Sequence, residues 1–167
     1  MIVPAQMSEI PEILSLTRAC AREMIARNIY QWNEHYPTQE AFENDIARKE
    51  LYVLKEQESI IGTLVISTFK DAEYDDIQWL TPDGKNLYIH RLAVHPQHQG
   101  QGNAHILMEY VYAFAKAKKA TSIRLDTFSQ NKRNQKFYEG LGFQKLGNIY
   151  FPKQSEHPFY CYEHVLS

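Results

Sequence analysis

The 167-residue sequence has little of several features that mark large protein classes. Its two cysteines, Cys20 and Cys161, are too few for a disulfide framework, and no Cys or Cys/His cluster has the spacing of a metal site. No apolar run approaches the ~20 residues of a membrane span, and the first residues lack the pattern of a signal peptide. We therefore expect neither a bound metal nor a membrane partner, and a reducing location, the cytoplasm.

An excess of charge of one sign is also missing. Lys and Arg number 18 and Asp and Glu 20, which gives a net charge of -2 and no reason to expect a nucleic-acid partner. The composition, 44% hydrophobic and 13% aromatic, is typical of a globular fold. A chain of this length is most simply one domain, so we expect a single domain over residues 1–167.

Hydrophobic periodicity predicts strands that alternate with helices, without internal repeats. Ser8 and Thr38 are predicted N-caps of the first two helices, and a third helix follows a glycine-containing turn. The last predicted helix spans residues 131–141. The predicted strands span residues 2–3, 51–56, 60–67, 87–94, 122–126, 143–146 and 159–165. This order indicates an α/β (α+β) fold.

The most informative segment is the predicted strand 87–94 and the turn that follows it. The turn reads Gln97-x-x-Gly100-x-Gly102 and opens a helix. Glycines allow the backbone to approach a ligand closely, and the first N–H groups of a helix have no intrahelical acceptor. The segment therefore predicts a phosphate-binding turn at a helix N-terminus.

Two familiar nucleotide-binding patterns do not fit this turn. A Walker-type loop needs a Lys-Ser or Lys-Thr pair after its glycines, but Asn103 and Ala104 stand there. A dinucleotide-binding turn needs a small residue where this chain has His105. Both classes are therefore excluded by specific residues.

Two motifs together resemble the GCN5-related N-acetyltransferase (GNAT) superfamily. Gln97-x-x-Gly100-x-Gly102 resembles its motif A, and the segment from Asn131 through Tyr138 to Leu-Gly-Phe at 141–143 resembles its motif B. The resemblance is tight over residues 51–147. It implies a GNAT fold, in which helices flank a mixed, mostly antiparallel central sheet whose strands splay at the acetyl-CoA cleft. It also implies an acetyl-CoA-dependent N-acetyltransferase that transfers the acetyl group directly to an amine.

The resemblance implies which residues hold acetyl-CoA. The main chain of Leu92 and Val94, with Ala93 between them, would pair with the pantetheine arm. Gln97 begins the motif, and Asn131 would contact the pantetheine arm or, alternatively, only cap its helix. The backbone amides that would surround the pyrophosphate are those of Gln99, Gly100, Gln101, Gly102, Asn103 and Ala104. Gln99 is neutral where a common version of the motif has arginine, so dipoles must hold the phosphates.

The resemblance also implies the catalytic groups. Tyr138 would be the general acid that protonates the departing thiolate of coenzyme A, or else a helix tyrosine that only packs. The motif A strand contains no acid, and His90 is its candidate for a general base or a water anchor. Strand alternation puts Arg91 on the opposite face, where a structural ion pair is expected.

The acceptor is expected to be a small-molecule amine or a peptide. Trp32 and Tyr36 are candidate substrate-binding residues, or else core anchors of the loop 31–37 that joins the first two helices. The acidic residues in 71–76 would attract a cationic amine or form a solvated loop. Two alternatives stay open, a coenzyme A or acyl-CoA sensor without catalysis and a transferase of longer acyl groups. A homodimer is possible, with the tail 148–167 as an edge strand.

Overall fold

The computed structural model describes residues 1–166, which contain seven strands and four α-helices. The strands are β1 Ile2–Pro4, β2 Leu51–Glu56, β3 Ser59–Ser67, β4 Asn86–Val94, β5 Ser122–Phe128, β6 Gln144–Ile149 and β7 Phe159–Val165. The helices are α1 Ile10–Ala26, α2 Gln39–Ala47, α3 Asn103–Lys118 and α4 Lys132–Gly140. The elements match the predicted ones in type and order.

One sheet contains these strands in the order β1-β2-β3-β4-β5-β7-β6. β4 and β5 are parallel, whereas the pairs β1–β2, β2–β3, β5–β7 and β6–β7 are antiparallel. The predicted mixed, mostly antiparallel sheet flanked by helices is therefore confirmed. The β4–β5 ladder runs from the pair Asn86–Ser122 to the pair Tyr88–Arg124. A ladder this short is compatible with splayed strands, although the splay stays a prediction.

The final strand differs in position from the prediction. β7 lies between β5 and β6, so it is an interior strand and β6 forms this edge of the sheet. The β7 backbone pairs with β5 on one side and with β6 on the other, and Cys161, Tyr162 and Glu163 are all 0% exposed. The predicted homodimer stays a prediction, and Ser167 lies outside the described residues.

Residues 1–66 and 90–113 form one compact unit. Its core contains apolar side chains with at most 7% exposure: Ile10, Ile13, Leu16, Cys20, Ala21, Trp32, Phe42, Leu51, Val53, Ile60, Val65 and Ala93. α2 begins after Thr38, whose Oγ1 accepts a hydrogen bond from the Ala41 N–H at 3.0 Å. The predicted Thr38 cap is therefore confirmed.

The predicted Ser8 cap is wrong. Ser8 lies inside a short 3₁₀ turn, Met7–Glu9, and α1 begins directly after it. The Gln6 N–H donates to the Glu9 carboxylate at 2.8 Å, so the acidic side chain of Glu9 stabilises the entry to the turn. Glu9 also pairs with Lys55 of β2 at 2.6 Å.

Residues 67–89 and the chain from residue 114 onward form a second compact unit. β5 and β7 pair along their whole length in this unit. A fully buried guanidinium, that of Arg124, lies at its centre. Its Nε donates to Glu163 Oε2 at 3.0 Å, and its Nη1 donates to Asp83 Oδ1 at 2.7 Å. This network joins the irregular chain before β4 to β5 and β7.

Within residues 1–166, no helix is both long enough and apolar enough to cross a membrane. The same residues contain no group of three or more His, Cys, Asp or Glu side chains that could hold a metal ion. Cys20 and Cys161 are buried free thiols.

Candidate functional site

The glycine turn after β4 has the backbone geometry of an anion-binding loop. Gly100 and Gly102 have φ angles of +75° and +86°, which side chains other than glycine rarely adopt. Among the described residues, chain neighbours apart, no heavy atom lies within 4 Å of a Cβ placed at either glycine. α3 begins at Asn103, and its first N–H groups have no intrahelical acceptor. The turn can therefore offer backbone amides and a helix dipole to a phosphate.

Side-chain hydrogen bonds hold the shape of this turn. Gln99 Nε2 donates to the Val94 carbonyl at 2.9 Å, so this side chain ties the turn to the end of β4. The Gln97 N–H donates to His95 Nδ1 at 3.1 Å within the short 3₁₀ turn that follows the strand. Gln99 thus closes the loop internally and adds no formal charge to it.

The end of β4 contains the main-chain groups that are predicted to bind pantetheine. The Val94 carbonyl accepts hydrogen bonds from Gln99 and, at 3.2 Å, from the Cys20 thiol. Ala93 is 6% exposed and packs in the core of the first unit, whereas Leu92 is only partly buried. Of the groups predicted to pair with pantetheine, the Val94 carbonyl is therefore already engaged inside the unit.

His90 is partly buried on the same strand. Burial, followed by the positive charge of the adjacent Arg91, lowers the pKa of His90 from 6.5 to about 4. Its imidazole is therefore neutral at physiological pH and can both accept and donate hydrogen bonds. A group of this pKa is a weak base, which suits the positioning of a water molecule better than the storage of a proton.

Arg91 interrupts the regular geometry of β4. Its φ is +49°, a left-handed conformation that costs on the order of 1–2 kcal/mol for a residue other than glycine. Its Nε and Nη2 donate to the two carboxylate oxygens of Asp45 on α2, at 2.8 and 2.7 Å. The predicted structural ion pair is therefore confirmed, and its partner is the 2% exposed Asp45.

The loop 31–37 is anchored in the first unit by its aromatic side chains. Trp32 is 7% exposed and belongs to the core, and Tyr36 is partly buried against that core. The Asn33 N–H donates to the Tyr36 carbonyl at 3.1 Å, which closes the loop on itself. The core-anchor alternative is thus confirmed for Trp32, while substrate binding by either aromatic residue stays a prediction.

The two predicted site residues of the second unit are the N-cap of α4, Asn131, and a residue within α4, Tyr138. Asn131 Oδ1 accepts a hydrogen bond from the Asn134 N–H at 3.1 Å, so Asn131 caps α4, while its contact with pantetheine stays a prediction. Tyr138 is 7% exposed, and its ring centroid lies 5.7 Å from that of Phe143. Burial, then the Asp126 carboxylate, raises the pKa of Tyr138 above its usual value near 10. The phenol is therefore protonated at neutral pH, as a general acid must be.

Asp126 is a carboxylate that the sequence reasoning did not select. It is partly exposed on β5 and accepts a hydrogen bond from Tyr74 Oη at 2.5 Å. Tyr74 is fully buried, and burial followed by Asp126 raises the pKa of its hydroxyl well above the usual value. Asp126 is the one acidic residue of β5 and lies five residues before Asn131, and this is the sequence signal that could have identified it.

The acidic stretch that contains Tyr74 is a short 3₁₀ segment, Ala72–Asp76. Its three acidic side chains, Glu73, Asp75 and Asp76, are exposed. Lys70 pairs with Asp75 at 3.1 Å. The prediction of a solvated surface segment is therefore confirmed for these three residues, with Tyr74 as the anchor that it missed.

A sequence model described as "Acetyltransferase (GNAT) family" matches residues 11–143. The chain belongs to the acetyltransferase (GNAT) family. The match covers the glycine turn of the first unit and the segment from Asn131 to Phe143 of the second, which are the two motifs that the sequence analysis used. Membership of the GNAT superfamily and its fold are thus confirmed.

Solved and curated GNAT proteins include similar chains. A Staphylococcus aureus Mu50 protein assigned as an acetyltransferase is 34% identical, with a TM-score of 0.78 and coverage of 100% of this chain and 99% of that one. N-acetyltransferase 8B of Rattus norvegicus is 34% identical over 102 residues, 60% of this chain and 41% of that protein. The match thus spans about two fifths of that relative's length.

A third GNAT protein shows the fold alone. The Salmonella typhimurium protein yncA, whose structure contains acetyl-CoA, has a TM-score of 0.69 at 15% identity and covers 94% of that chain. The site residues predicted for the present GNAT chain divide between its two units. The glycine turn, His90 and the 31–37 loop lie in the first, and Asn131 and Tyr138 lie in the second. Their assignments stay predictions.

Proposed function

We propose that this GNAT protein is an acetyl-CoA-dependent N-acetyltransferase that acts on a primary amine of a small molecule or peptide. The observation that carries the proposal is the turn at Gly100 and Gly102, with its two positive φ angles and open surface at the start of α3. In a chain of this family, such a turn fits the pyrophosphate of coenzyme A. The main-chain groups of Leu92 to Val94, apart from the engaged Val94 carbonyl, would hold the pantetheine arm.

Acetyl transfer would proceed directly, without a covalent enzyme intermediate. The amine nitrogen attacks the thioester carbonyl, a C–N bond forms, and the tetrahedral species collapses with cleavage of the C–S bond. Tyr138 would donate its proton to the departing sulfur. Its raised pKa keeps it protonated beforehand, and a thiol with a pKa of about 8.5 retains that proton while the phenolate recovers one from solvent.

A cysteine nucleophile has no support in this geometry. Burial, then Glu23, raises the pKa of the Cys20 thiol to about 12. The same thiol donates to the Val94 carbonyl at 3.2 Å, so it is occupied in the fold. A reactive cysteine needs an accessible thiolate, and direct attack by the amine is therefore the favoured course. Cys20 and Cys161 are both free, buried thiols, which agrees with the cytoplasmic location that we propose.

Two residues are candidates for removing the proton of the attacking amine. His90 is neutral at working pH and would act through a bound water. Asp126 is the second candidate, because it is a partly exposed carboxylate close enough to Tyr138 to raise the pKa of that phenol. A carboxylate beside the proposed general acid Tyr138 would attract the amine as a cation and then accept its proton.

The test combines binding with turnover. Calorimetry should detect acetyl-CoA binding, and a thiol-release assay over a panel of amines, peptides and aminoglycosides should detect transfer. Absence of binding at millimolar acetyl-CoA would contradict the proposal. Binding without thiol release from any amine would instead favour the sensor alternative, and faster release from longer acyl-CoA donors would identify the enzyme as a transferase of those groups.

A further inference from the structure

Arg91 connects three parts of the first unit through one guanidinium. Its backbone belongs to β4, its Nε and Nη2 bind both oxygens of Asp45 on α2, and its Nη1 lies 3.4 Å from Tyr36 Oη on the 31–37 loop. The bidentate pair fixes the plane of the guanidinium. The remaining edge of that plane is the one directed at Tyr36.

The Arg91–Asp45 ion pair differs from an ordinary surface ion pair in its surroundings. Asp45 is 2% exposed and the Arg91 side chain 16% exposed, so solvent screens the pair little. Arg91 keeps a left-handed backbone conformation inside a strand, and such conformations persist where surrounding contacts over-determine them. It is also adjacent to His90, the candidate water anchor. The Arg91–Asp45 pair thus links a strained strand residue, which is next to the candidate catalytic residue His90, to the 31–37 loop.

We propose that Arg91 is a positioning residue for the acceptor: Asp45 holds its guanidinium, and the guanidinium holds Tyr36 and thereby the 31–37 loop at β4. The loop contributes the candidate acceptor-binding residues Trp32 and Tyr36. The acceptor meets a preformed loop, which reduces the ordering cost of binding. None of Asp45, Arg91 and Tyr36 is among the residues proposed to contact acetyl-CoA, so its affinity is expected to be independent of this pair. The proposal rests on the proposed transferase function of the same site.

Three variants test the arrangement. Asp45→Asn keeps the shape and removes the charge, Arg91→Lys keeps the charge and loses the bidentate geometry, and Tyr36→Phe removes only the hydroxyl. Glu9→Gln is the matched control, because it breaks another ion pair of the same unit, that with Lys55 at 2.6 Å, away from the loop. Each variant is assayed for the acceptor KM, kcat and the acetyl-CoA Kd, with thermal unfolding as a check of folding.

Asp45→Asn is expected to raise the acceptor KM on the order of tenfold, since small misplacements of positioning groups are costly. Tyr36→Phe should raise it about threefold, the effect of one modest hydrogen bond, and add little in the Asp45→Asn background. Arg91→Lys should raise the acceptor KM by a factor between those of the other two variants. The acetyl-CoA Kd stays within about twofold of the parent throughout. An unchanged acceptor KM, or an acceptor KM and acetyl-CoA Kd that rise together, would overturn the proposal.

A second readout needs no turnover. The chain has two tryptophans, so Trp79→Phe leaves Trp32 as the sole reporter on the loop. Acrylamide quenching of Trp32 should increase in Asp45→Asn and not in Glu9→Gln, because the loop loses its tether only in the former. Equal quenching in both variants would refute the tether even if the protein is a transferase. Increased quenching in a protein that releases no thiol would uphold the tether and refute the transferase.

Discussion

Tyr138 combines a buried ring with a hydroxyl that stays protonated at neutral pH, and both properties come from its environment. We expect Tyr138→Phe to lower kcat about 100-fold, the lower end of what a positioned general acid contributes. The acetyl-CoA Kd should change less than about twofold, because the ring and its contacts with Phe143 remain. Steady-state thiol release with calorimetry checks both quantities. A kcat within about threefold of the parent would remove Tyr138 from the proton transfer.

The proton acceptor can be identified from the acid limb of the pH profile. If His90 acts as the base or water anchor, kcat/KM falls as His90 becomes protonated near pH 4, and His90→Gln removes that limb. Asp126→Asn is the isosteric comparison, because the amide oxygen can still accept from Tyr74. A limb that persists in His90→Gln and disappears in Asp126→Asn would assign the role to Asp126 instead.

The glycine turn is an element whose backbone, rather than its side chains, is predicted to bind the ligand. Gly102→Ala should weaken acetyl-CoA binding about tenfold, because alanine at φ +86° costs on the order of 1–2 kcal/mol and shifts the amides. Gly140→Ala is the control, since Gly140 lies in α4 without a positive φ, and a Cβ placed there meets no described heavy atom within 4 Å outside its neighbours and its own helix backbone. Calorimetry measures both, and equal affinities would contradict a role of the turn in phosphate binding.

Elements set by local sequence were predictable, and elements set by distant partners were not. The Thr38 cap, the β2–β3 hairpin and the Asn131 cap depend on neighbours within a few residues, and the periodicity and capping rules identify them. Asp45 looked like an ordinary helix residue because its partner, Arg91, is 46 positions away. The interior position of β7 has the same origin, since strand order depends on pairing across the whole chain.

In the candidate site, too, the features set by local sequence were predictable and the contacts between distant residues were not. The glycine turn and the Asn131–Phe143 segment are continuous motifs, so the sequence indicates them directly. Asp126 and Tyr74 meet at 2.5 Å across 52 positions, and a single sequence does not pair them. Ser8 failed as a cap because the chain already turns before it: Gln6 is the extended residue that precedes the 3₁₀ turn, and Ser8 lies inside that turn.

At the scale of the whole molecule, each of the two units contains a buried carboxylate that pairs with an arginine from a distant part of the chain. In the first it is Asp45 with Arg91, and in the second it is Glu163 with Arg124, which also pairs with Asp83. Burial would raise the pKa of Glu163, but hydrogen bonds from Ser122, Thr81 and Arg124 outweigh it and lower the pKa below the usual 4.5. Buried charges of this kind destabilise strongly when one partner is lost.

The second network therefore allows a prediction about global stability. Arg124→Met should lower the free energy of unfolding by about 3–5 kcal/mol, because it leaves the buried Glu163 carboxylate without its cation. Lys70→Met is the control: it breaks more exposed ion pairs with Asp75 and Asp83 and should cost less than about 1 kcal/mol. Urea unfolding at neutral pH measures both variants, and equal losses would refute the assignment of the buried pair as the stabilising one.

The pH dependence of that stability follows from the direction of the Glu163 shift. A carboxyl whose pKa is lower in the folded state stabilises the fold above its unfolded value, near 4.5, and this contribution is lost as the pH falls through the folded value. Glu163→Gln should thus lower the free energy of unfolding at pH 7, and its deficit relative to the parent should shrink as the pH falls below 4.5. A deficit that stays constant from pH 7 to pH 3 would mean that shape, and not the charge of Glu163, holds β7 to Arg124.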